Sequence, residues 1–554
     1  MILPAPARRR FTGLYLGLFL IGLTLVTLWP ATANGFVEFD DLAYVNDNSH
    51  VLGGLSGANV HWALTTTEMG NWHPVTWLSL MLDAELWGPN NPGGFHLTNL
   101  LLHLANVLLL FVALLRMTGA PWRSALVAAL FAVHPLNVEA VAWVAERKGL
   151  LAAFFALLAL VAYARWAARG GRLAYLAVIV FFALSLMAKA VTVTLPAALL
   201  LLDFWPLRRT PLTPAPLPGE RADREPASWR RLLLEKVPLL ALSLGFSVLA
   251  PLAQRDAGAL RSVDQRPLVS RVANTLVNPF SYLRKLTWPS DLAVFYPYEQ
   301  RTLLAPEVVA SAVALGGLTL LALWWGRRRP YLPVGWLWYL GVLLPVAGLV
   351  PVGGHSLADR YVYLPMIGVC LILVWGTTDL LAALRLRTLA LPVSAAVLIA
   401  CVLGSRSQLP HWHDPVALWE HALAVTRDNH RAYHNLGVHY LNTGRVGEAA
   451  DNLAEAVRLR PDKADWHVHL GGAFLRQGKL DEAREQFVEA LQLQPGLAVA
   501  VNDLGVVLER QGDRRGAAEQ FRKAVELDPS ETLFRRNEER LRLSQAQHSG
   551  GAAP

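Results

Sequence analysis

Cysteine is nearly absent: Cys370 and Cys401 are the two in 554 residues. Two thiols exclude a disulfide framework and a cysteine-rich zinc site, and both lie in apolar runs where a small side chain serves packing. Charge is scarce too, with 17% Asp, Glu, Lys and Arg, against about 25% in soluble domains. Together with 54% hydrophobic residues, that scarcity excludes an ordinary soluble enzyme and a disordered chain. No basic stretch interleaved with aromatics marks a nucleic-acid surface, so no nucleic-acid partner is expected. His50, His61 and His96 lack metal-ligand spacing, and neither a metal site nor a cofactor is expected.

Apolar runs are present instead. A hydrocarbon core of about 30 Å needs about 20 helical residues. Eleven candidate spans follow: 11–29, 98–115, 122–144, 149–168, 173–188, 190–206, 237–253, 306–326, 331–351, 361–378 and 388–404. His134-Pro135 interrupts the third. The first follows Arg8-Arg9-Arg10 and precedes Ala31-Thr32-Ala33, which mimics a secretion signal, but its length favours a retained span. Basic residues fix the expected orientation. The stretch 31–96 has no Lys or Arg, whereas Arg116, Arg123, Arg165, Arg169, Arg172 and Arg327–Arg329 fall on the opposite side. The positive-inside rule then puts the N-terminus in the cytoplasm and, after an odd number of spans, the C-terminal part outside. The stretch 209–228, rich in Pro and Arg, reads as a disordered connector, and 255–305 as an outer loop carrying an amphipathic helix around Asn278-Pro279.

From about residue 409 the pattern changes to a repeat of 34. Leu436-Gly437, Leu470-Gly471 and Leu504-Gly505 fall in register, as do Ala449, Ala483 and Ala517, then Leu453, Phe487 and Phe521, and finally Pro461, Pro495 and Pro529. Small residues let two helices touch, the large residue fills the gap, and proline ends the unit. This is the tetratricopeptide (TPR) pattern. About three and a half repeats start near 430, 464 and 498, with a capping helix after Pro529 and a disordered tail at 546–554. The expected architecture is therefore all-α: a polytopic membrane helix bundle over 1–408, with its first outer loop at 31–97, and a TPR α-solenoid over 409–545. A TPR surface takes a protein or peptide.

Chemistry-bearing residues gather at the ends of the spans. Asp40 and Asp41 follow the first span, where partial desolvation suits a general base. The same loop holds Trp72 and His73, read as a cleft wall. Glu139, Glu146, Arg147 and Lys148 end the third span, Lys189 stands between two apolar runs, and Asp359-Arg360-Tyr361 opens the tenth. Ionisable residues at membrane depth are costly and point to function. Acids and cations converging on one leaflet call for an anionic, lipid-borne ligand such as a lipid-linked phosphate, for which Arg offers a planar fork and Lys a point charge.

Phe39-Asp40-Asp41, Asn71-Trp72-His73-Pro74-Val75-Thr76-Trp77, His96-Leu97-Thr98-Asn99, Val144-Ala145-Glu146-Arg147-Lys148 and Asp359-Arg360-Tyr361, followed by TPRs, resemble the transmembrane and TPR-containing protein O-mannosyltransferases and their bacterial relatives, within the GT-C glycosyltransferases. The resemblance implies a GT-C-like fold, a polyprenyl-phosphate sugar donor, a protein acceptor and a bacterial inner-membrane protein with its TPRs in the periplasm. It also implies that Asp41 or Asp40 is the base, with Asp41 the first choice. Arg147, Lys148, Lys189 and Arg360 would hold the donor phosphate, with His73, Trp72, Glu139, Glu146, Asp359 and Tyr361 lining the cleft. The competing readings are a membrane-anchored TPR scaffold without catalysis, and a transporter. The transporter lacks the expected inverted repeat.

Overall fold

The computed structural model describes residues 5–212, 227–256, 266–350 and 354–550. Most of the connector at 209–228, part of the loop at 255–305 and the last four residues of the tail fall outside them. Two compact units divide the chain, Met1–Leu418 and Trp419–Pro554.

Each apolar run of the first unit has a helical counterpart. They are α1 (Ala5–Leu28), α3 (Pro92–Thr118), α4 (Pro121–Val133) with α5 (Val138–Ala142), α6 (Arg147–Arg169), α7 (Arg172–Ala188), α8 (Leu195–Phe204), α10 (Val237–Asp256), α12 (Pro306–Trp325), α13 (Tyr331–Leu343), α14 (Met366–Ala383) and α15 (Ala390–Gln408). Further helices lie between them, among them α2 (Pro74–Trp87), α9 (Trp229–Leu234) and α11 (Leu268–Thr287). Among the described residues six helices are long and apolar enough to cross a membrane, and the broken pair α4–α5, bent by 57°, makes seven if it counts as one span. The other four of the eleven expected spans, α7, α8, α10 and α13, are apolar helices of shorter length. The ten residues of α8 reach only about 15 Å at 1.5 Å per residue.

Local chemistry sets these boundaries. Proline occupies a first-turn position in α2, α3, α4 and α12, where its missing N–H costs nothing. Gly119 closes α3 in the left-handed conformation, at φ 68°, which glycine adopts without a Cβ penalty. His134 is extended before Pro135 and stops α4, as a residue before proline tends to do. The first loop is not open chain. Besides α2 it holds short helices at Ser49–Leu52 and Gly57–Thr65, and α3 begins at Pro92 rather than at residue 98.

The core of this unit sits among α1, α3, α4, α6, α7, α13 and α14, with Leu20, Val127, Leu150, Phe182, Tyr339 and Met366 fully buried. α13 and α14 cross closely: a Cβ built on Gly368 would collide with the Gly335 carbonyl oxygen, and one on Gly335 would sit 2.5 Å from the Gly368 carbonyl. Beside them a two-stranded antiparallel ribbon, β1 (Tyr296–Pro297) with β2 (His355–Leu357), pairs Tyr296 with Leu357. The amphipathic reading near Asn278 is met by α11, which buries Ser270, Ala273, Asn274, Val277, Asn278, Tyr282 and Lys285 along one side.

The boundary between the units falls later than residue 408. Leu409 and Trp412 are buried, Trp412 lies 6.2 Å from Trp143, and the Gly35 amide donates to the His413 carbonyl (3.0 Å). The second unit is a stack of helix pairs: α16 (His430–Asn442) with α17 (Val446–Leu459), α18 (Ala464–Gln477) with α19 (Leu480–Leu493), α20 (Ala498–Arg510) with α21 (Arg514–Leu527), capped by α22 (Thr532–Gly550). The final helix runs through Gly550, so the expected tail at 546–554 is helical over its first half. A Cβ on Gly437, Gly471 or Gly505 would come within 2.7 Å of Leu453, Phe487 or Phe521. That contact is the physical content of the 34-residue register.

Substituting leucine for Gly368 should force α13 and α14 apart. An overpacking cost of about 1–3 kcal/mol predicts a lower melting temperature in detergent, with Gly316→Leu, whose Cβ would meet nothing within 4 Å, unchanged.

Candidate functional site

Three separated segments meet at the Trp143 ring, and a fourth, at Lys189, joins them through Glu146. Phe39 stacks on that ring (5.4 Å, 14°), the Arg360 guanidinium lies 4.9 Å from its centre, and Lys148 Nζ 5.7 Å. Lys148 also stands 4.2 Å over the Tyr44 ring and pairs with Asp40 at 3.5 Å. Glu146 bridges the other two cations, 2.6 Å from Lys189 Nζ and 3.6 Å from Arg360 Nε. Glu139 accepts from the Arg360 guanidinium (2.5 Å) and from its backbone amide (2.8 Å). Tyr361 faces both Arg360 and Lys189, at 5.2 and 5.8 Å.

Exposure divides this cluster into a floor and a mouth. The Glu139 and Glu146 side chains are 4% and 2% exposed, whereas those of Asp40, Lys189, Lys148 and Arg360 are 28%, 20%, 12% and 10% exposed. Two buried carboxylates thus hold Arg360 and Lys189, and the more accessible Asp40 holds Lys148, so three partly exposed cations stand together beside one accessible carboxylate. An anion arriving there meets guanidinium and ammonium groups already held in place, which is the arrangement that stabilises charge on a departing phosphate.

Asp41 occupies a different position. It is fully buried, its two oxygens accepting from the Val37 amide (3.0 Å) and the Ala145 amide (2.8 Å). Burial pushes its pKa up to about 7; the two amides oppose the shift and the neighbouring Asp40 charge adds to it. Asp41 therefore ties the first loop to the turn before α6 and, by doing so, sets Asp40 beside Lys148.

Arg147, expected with the phosphate ligands, is corrected. Its side chain is fully buried and committed elsewhere: to Asp83 (2.6 Å), Asn99 (2.5 Å), Ser79 (3.0 Å) and the Phe95 carbonyl (2.8 Å). With every branch of its fork occupied, it pins α2 and α3 to the start of α6. Asp359 does not pair with Arg360. It accepts from the Tyr296 hydroxyl (2.9 Å), and Tyr296 in turn accepts from Lys285 (2.9 Å). Burial raises the Asp359 pKa to about 7, with the Lys285 charge opposing. Trp72 donates to the Leu64 carbonyl (2.8 Å) and packs 5.7 Å from Phe246, so it belongs to the packing of α10.

His73 borders the cluster through aromatic contacts. Its ring stacks on Tyr44 (5.6 Å) and lies 4.9 Å from Trp77. Its Nε2 is buried with no hydrogen-bond partner among the described residues. Burial, reinforced by the Lys148 and Lys189 charges, holds it neutral with a pKa well below the usual value. His103 is held between the Tyr363 hydroxyl (2.7 Å) and the Ala132 carbonyl (3.0 Å), a packing role. No group of three or more His, Cys, Asp or Glu residues suited to a metal ion occurs among the described residues.

Sequence reasoning missed Tyr44, Trp143, Asp83 and Tyr296. Tyr44 and Trp143 lie within or next to the motifs that carried Asp40 and Glu146, so a signal was present. Tyr296 had none, because only the ribbon brings it to Asp359.

Residues 434–498 and 498–531 each match a tetratricopeptide-repeat family. The chain is 25% identical to Protein O-mannosyl-transferase Tmtc2 of Drosophila melanogaster over 81% of its own length and 64% of that protein. It is 25% identical to human Protein O-mannosyl-transferase TMTC1 over 83% and 57%, and 24% identical to human TMTC4 over 69% and 57%. The chain therefore spans between 57% and 64% of these relatives. A solved Arabidopsis OM64 TPR domain aligns with 21% of the chain and 95% of that domain, at 22% identity and a TM-score of 0.20. The resemblance read from the motifs is matched: the homologues are protein O-mannosyl-transferases of the TMTC type, and the TPR repeats are present.

Replacing Asp41 by Asn leaves one backbone amide without its acceptor. A buried unsatisfied donor costs about 1–3 kcal/mol, so Asp41→Asn should melt earlier than the wild type, and Asp40→Asn should not. The deficit should depend on pH. A carboxyl whose folded pKa is raised to about 7 contributes stability that is full below its unfolded pKa and lost as pH rises through 7. The gap between wild type and Asp41→Asn should therefore narrow from pH 4 to 7 and then level off in thermal melts.

Proposed function

We propose that this protein is an integral-membrane glycosyltransferase. It would transfer a sugar, mannose in keeping with the names of its relatives, from a polyprenyl-phosphate donor to a protein hydroxyl. The observation that carries the reading is the mouth of the Trp143 cluster: an accessible Asp40 carboxylate paired with Lys148, beside Lys189 and Arg360, which buried Glu139 and Glu146 orient.

The chemistry is that of a GT-C inverting enzyme in one displacement. Asp40 accepts the proton of the acceptor hydroxyl. The oxygen bonds to the anomeric carbon as the bond from that carbon to the phosphate oxygen breaks, and the electron pair leaves with the lipid phosphate. Lys148, Lys189 and Arg360 face the charge that grows on that phosphate, so they stabilise the transition state more than the ground state. Asp40 is preferred to Asp41 because a base must reach the acceptor, and both oxygens of Asp41 are spent on backbone amides. The Lys and Arg distribution of the sequence supports a mouth on the non-cytoplasmic side. On that side, following the last apolar helix, the TPR unit would present the protein acceptor.

The test is transfer by the purified full chain from mannosyl-phosphoryl polyprenol to a panel of acceptor proteins. Asp40→Asn should cut kcat by about 10²–10⁴-fold with an unchanged melting temperature, and Lys189→Ala should lower kcat more than it raises KM. Wild-type turnover by Asp40→Asn would overturn the mechanism. Absence of donor turnover in the wild type would leave a membrane-anchored TPR scaffold as the reading.

A further inference from the structure

The other end of α6 carries a second charged assembly that the proposed transfer does not use. α6 has 23 residues, about 34 Å at 1.5 Å per residue, close to the thickness of a hydrocarbon core. Lys148 and the Trp143 cluster stand at its start. A groove of about 730 Å³ opens at its far end, between Trp166, the first turns of α7, and α9 with the start of α10.

Its wall is apolar, formed by Trp166, Leu176, Ile179, Leu234 and Pro238, and its rim carries Arg172, Arg230 and Arg231. The carboxylate on the wall is already neutralised: Glu235 is paired with Arg209 (2.7 Å) and Arg231 (3.1 Å). Behind it, Asp203 is held by Arg209 (2.9 Å), by Lys236 (2.8 Å) and by the Tyr163 hydroxyl (2.7 Å). Five cations therefore face two carboxylates, and Arg172 and Arg230 make no ion pair among the described residues. The walls are tied together, because the Tyr175 hydroxyl of α7 donates to the Glu235 carbonyl and the Arg209–Glu235 pair anchors the same turn. The groove is thus a fixed apolar slot whose mouth carries two guanidinium groups that no carboxylate among the described residues neutralises.

We propose that this groove binds an anionic phospholipid, on the opposite side of the membrane from the Trp143 cluster. The guanidinium forks would take the phosphate oxygens, and the apolar wall would lie along the glycerol and the first part of an acyl chain. Basic pockets between membrane helices recognise headgroups in this way. A water-soluble phosphate would use the rim alone and leave the slot unfilled. The inference does not rest on the transfer reaction.

The test is native mass spectrometry of the purified full chain with phosphatidylglycerol and, separately, phosphatidylcholine. The wild type should retain phosphatidylglycerol in preference. The double variant Arg172→Ala/Arg230→Ala should lose that retention about tenfold or more, whereas Arg327→Ala/Arg328→Ala, at exposed arginines outside the groove, should keep it. Millimolar glycerol 3-phosphate should not displace the lipid. A photoactivatable phosphatidylglycerol should label the wild type at peptides containing Trp166 or Leu176, which tests the site even if the double variant does not fold. The proposal is overturned by equal retention of the two lipids, by equal loss in both arginine variants, by displacement with glycerol 3-phosphate, or by labelling confined to other helices.

Discussion

The carboxylate of Asp41 holds the candidate site together. Its two oxygens receive amides from Val37 in the first loop and from Ala145 before α6, segments about a hundred residues apart in sequence. A buried acceptor joined to two backbone donors fixes position far better than a flexible ion pair would. Once that clamp is closed, Phe39 lies on Trp143 and Asp40 lies beside Lys148. The only partly exposed acid of the cluster owes its place to the fully buried one next to it.

The same economy recurs in the rest of the first unit. Charges are few, and most of those buried in it are held by more than one partner. Arg147 is saturated by Asp83, Asn99, Ser79 and a carbonyl; Asp203 by Arg209, Lys236 and Tyr163. Desolvating a lone ion is too costly to persist, and pairing with additional hydrogen bonds offsets the penalty. Such saturated groups are framework. Among those left with a face still free are Asp40, Lys148, Lys189 and Arg360 at one end of α6, and Arg172 and Arg230 at the other. Separating saturated from unsaturated charges is what distinguishes structural ion pairs from places where a ligand can be received.

Sequence reading went a long way at the level of segments and motifs. Apolar runs of the right length marked where the helices of the first unit lie, because burial in lipid requires continuous hydrophobicity. The 34-residue register announced helix pairs starting at His430, Ala464 and Ala498, because each Gly must accept a large side chain from its partner helix. It was weaker on helix length. α8 has only ten residues, since Lys189 and Trp205-Pro206 bound its apolar run with residues that leave the helical path. It was weakest on pairing. Arg147 and Lys148 are adjacent in sequence, yet one turns inward to Asp83 and the other to Asp40.

Composition and periodicity by themselves determined a membrane helix bundle joined to a TPR solenoid, together with a short roster of acids and cations at the helix ends, because hydrophobic continuity and repeat spacing are local properties of a chain. Only the tertiary structure decided which of those groups are spent on one another and which remain accessible. Asp40 against Asp41, Lys148 against Arg147, and Arg360 with Glu139 rather than Asp359 are matters of direction and distance between segments far apart in sequence. No local pattern encodes them, because a side chain's role is set by what the fold packs against it.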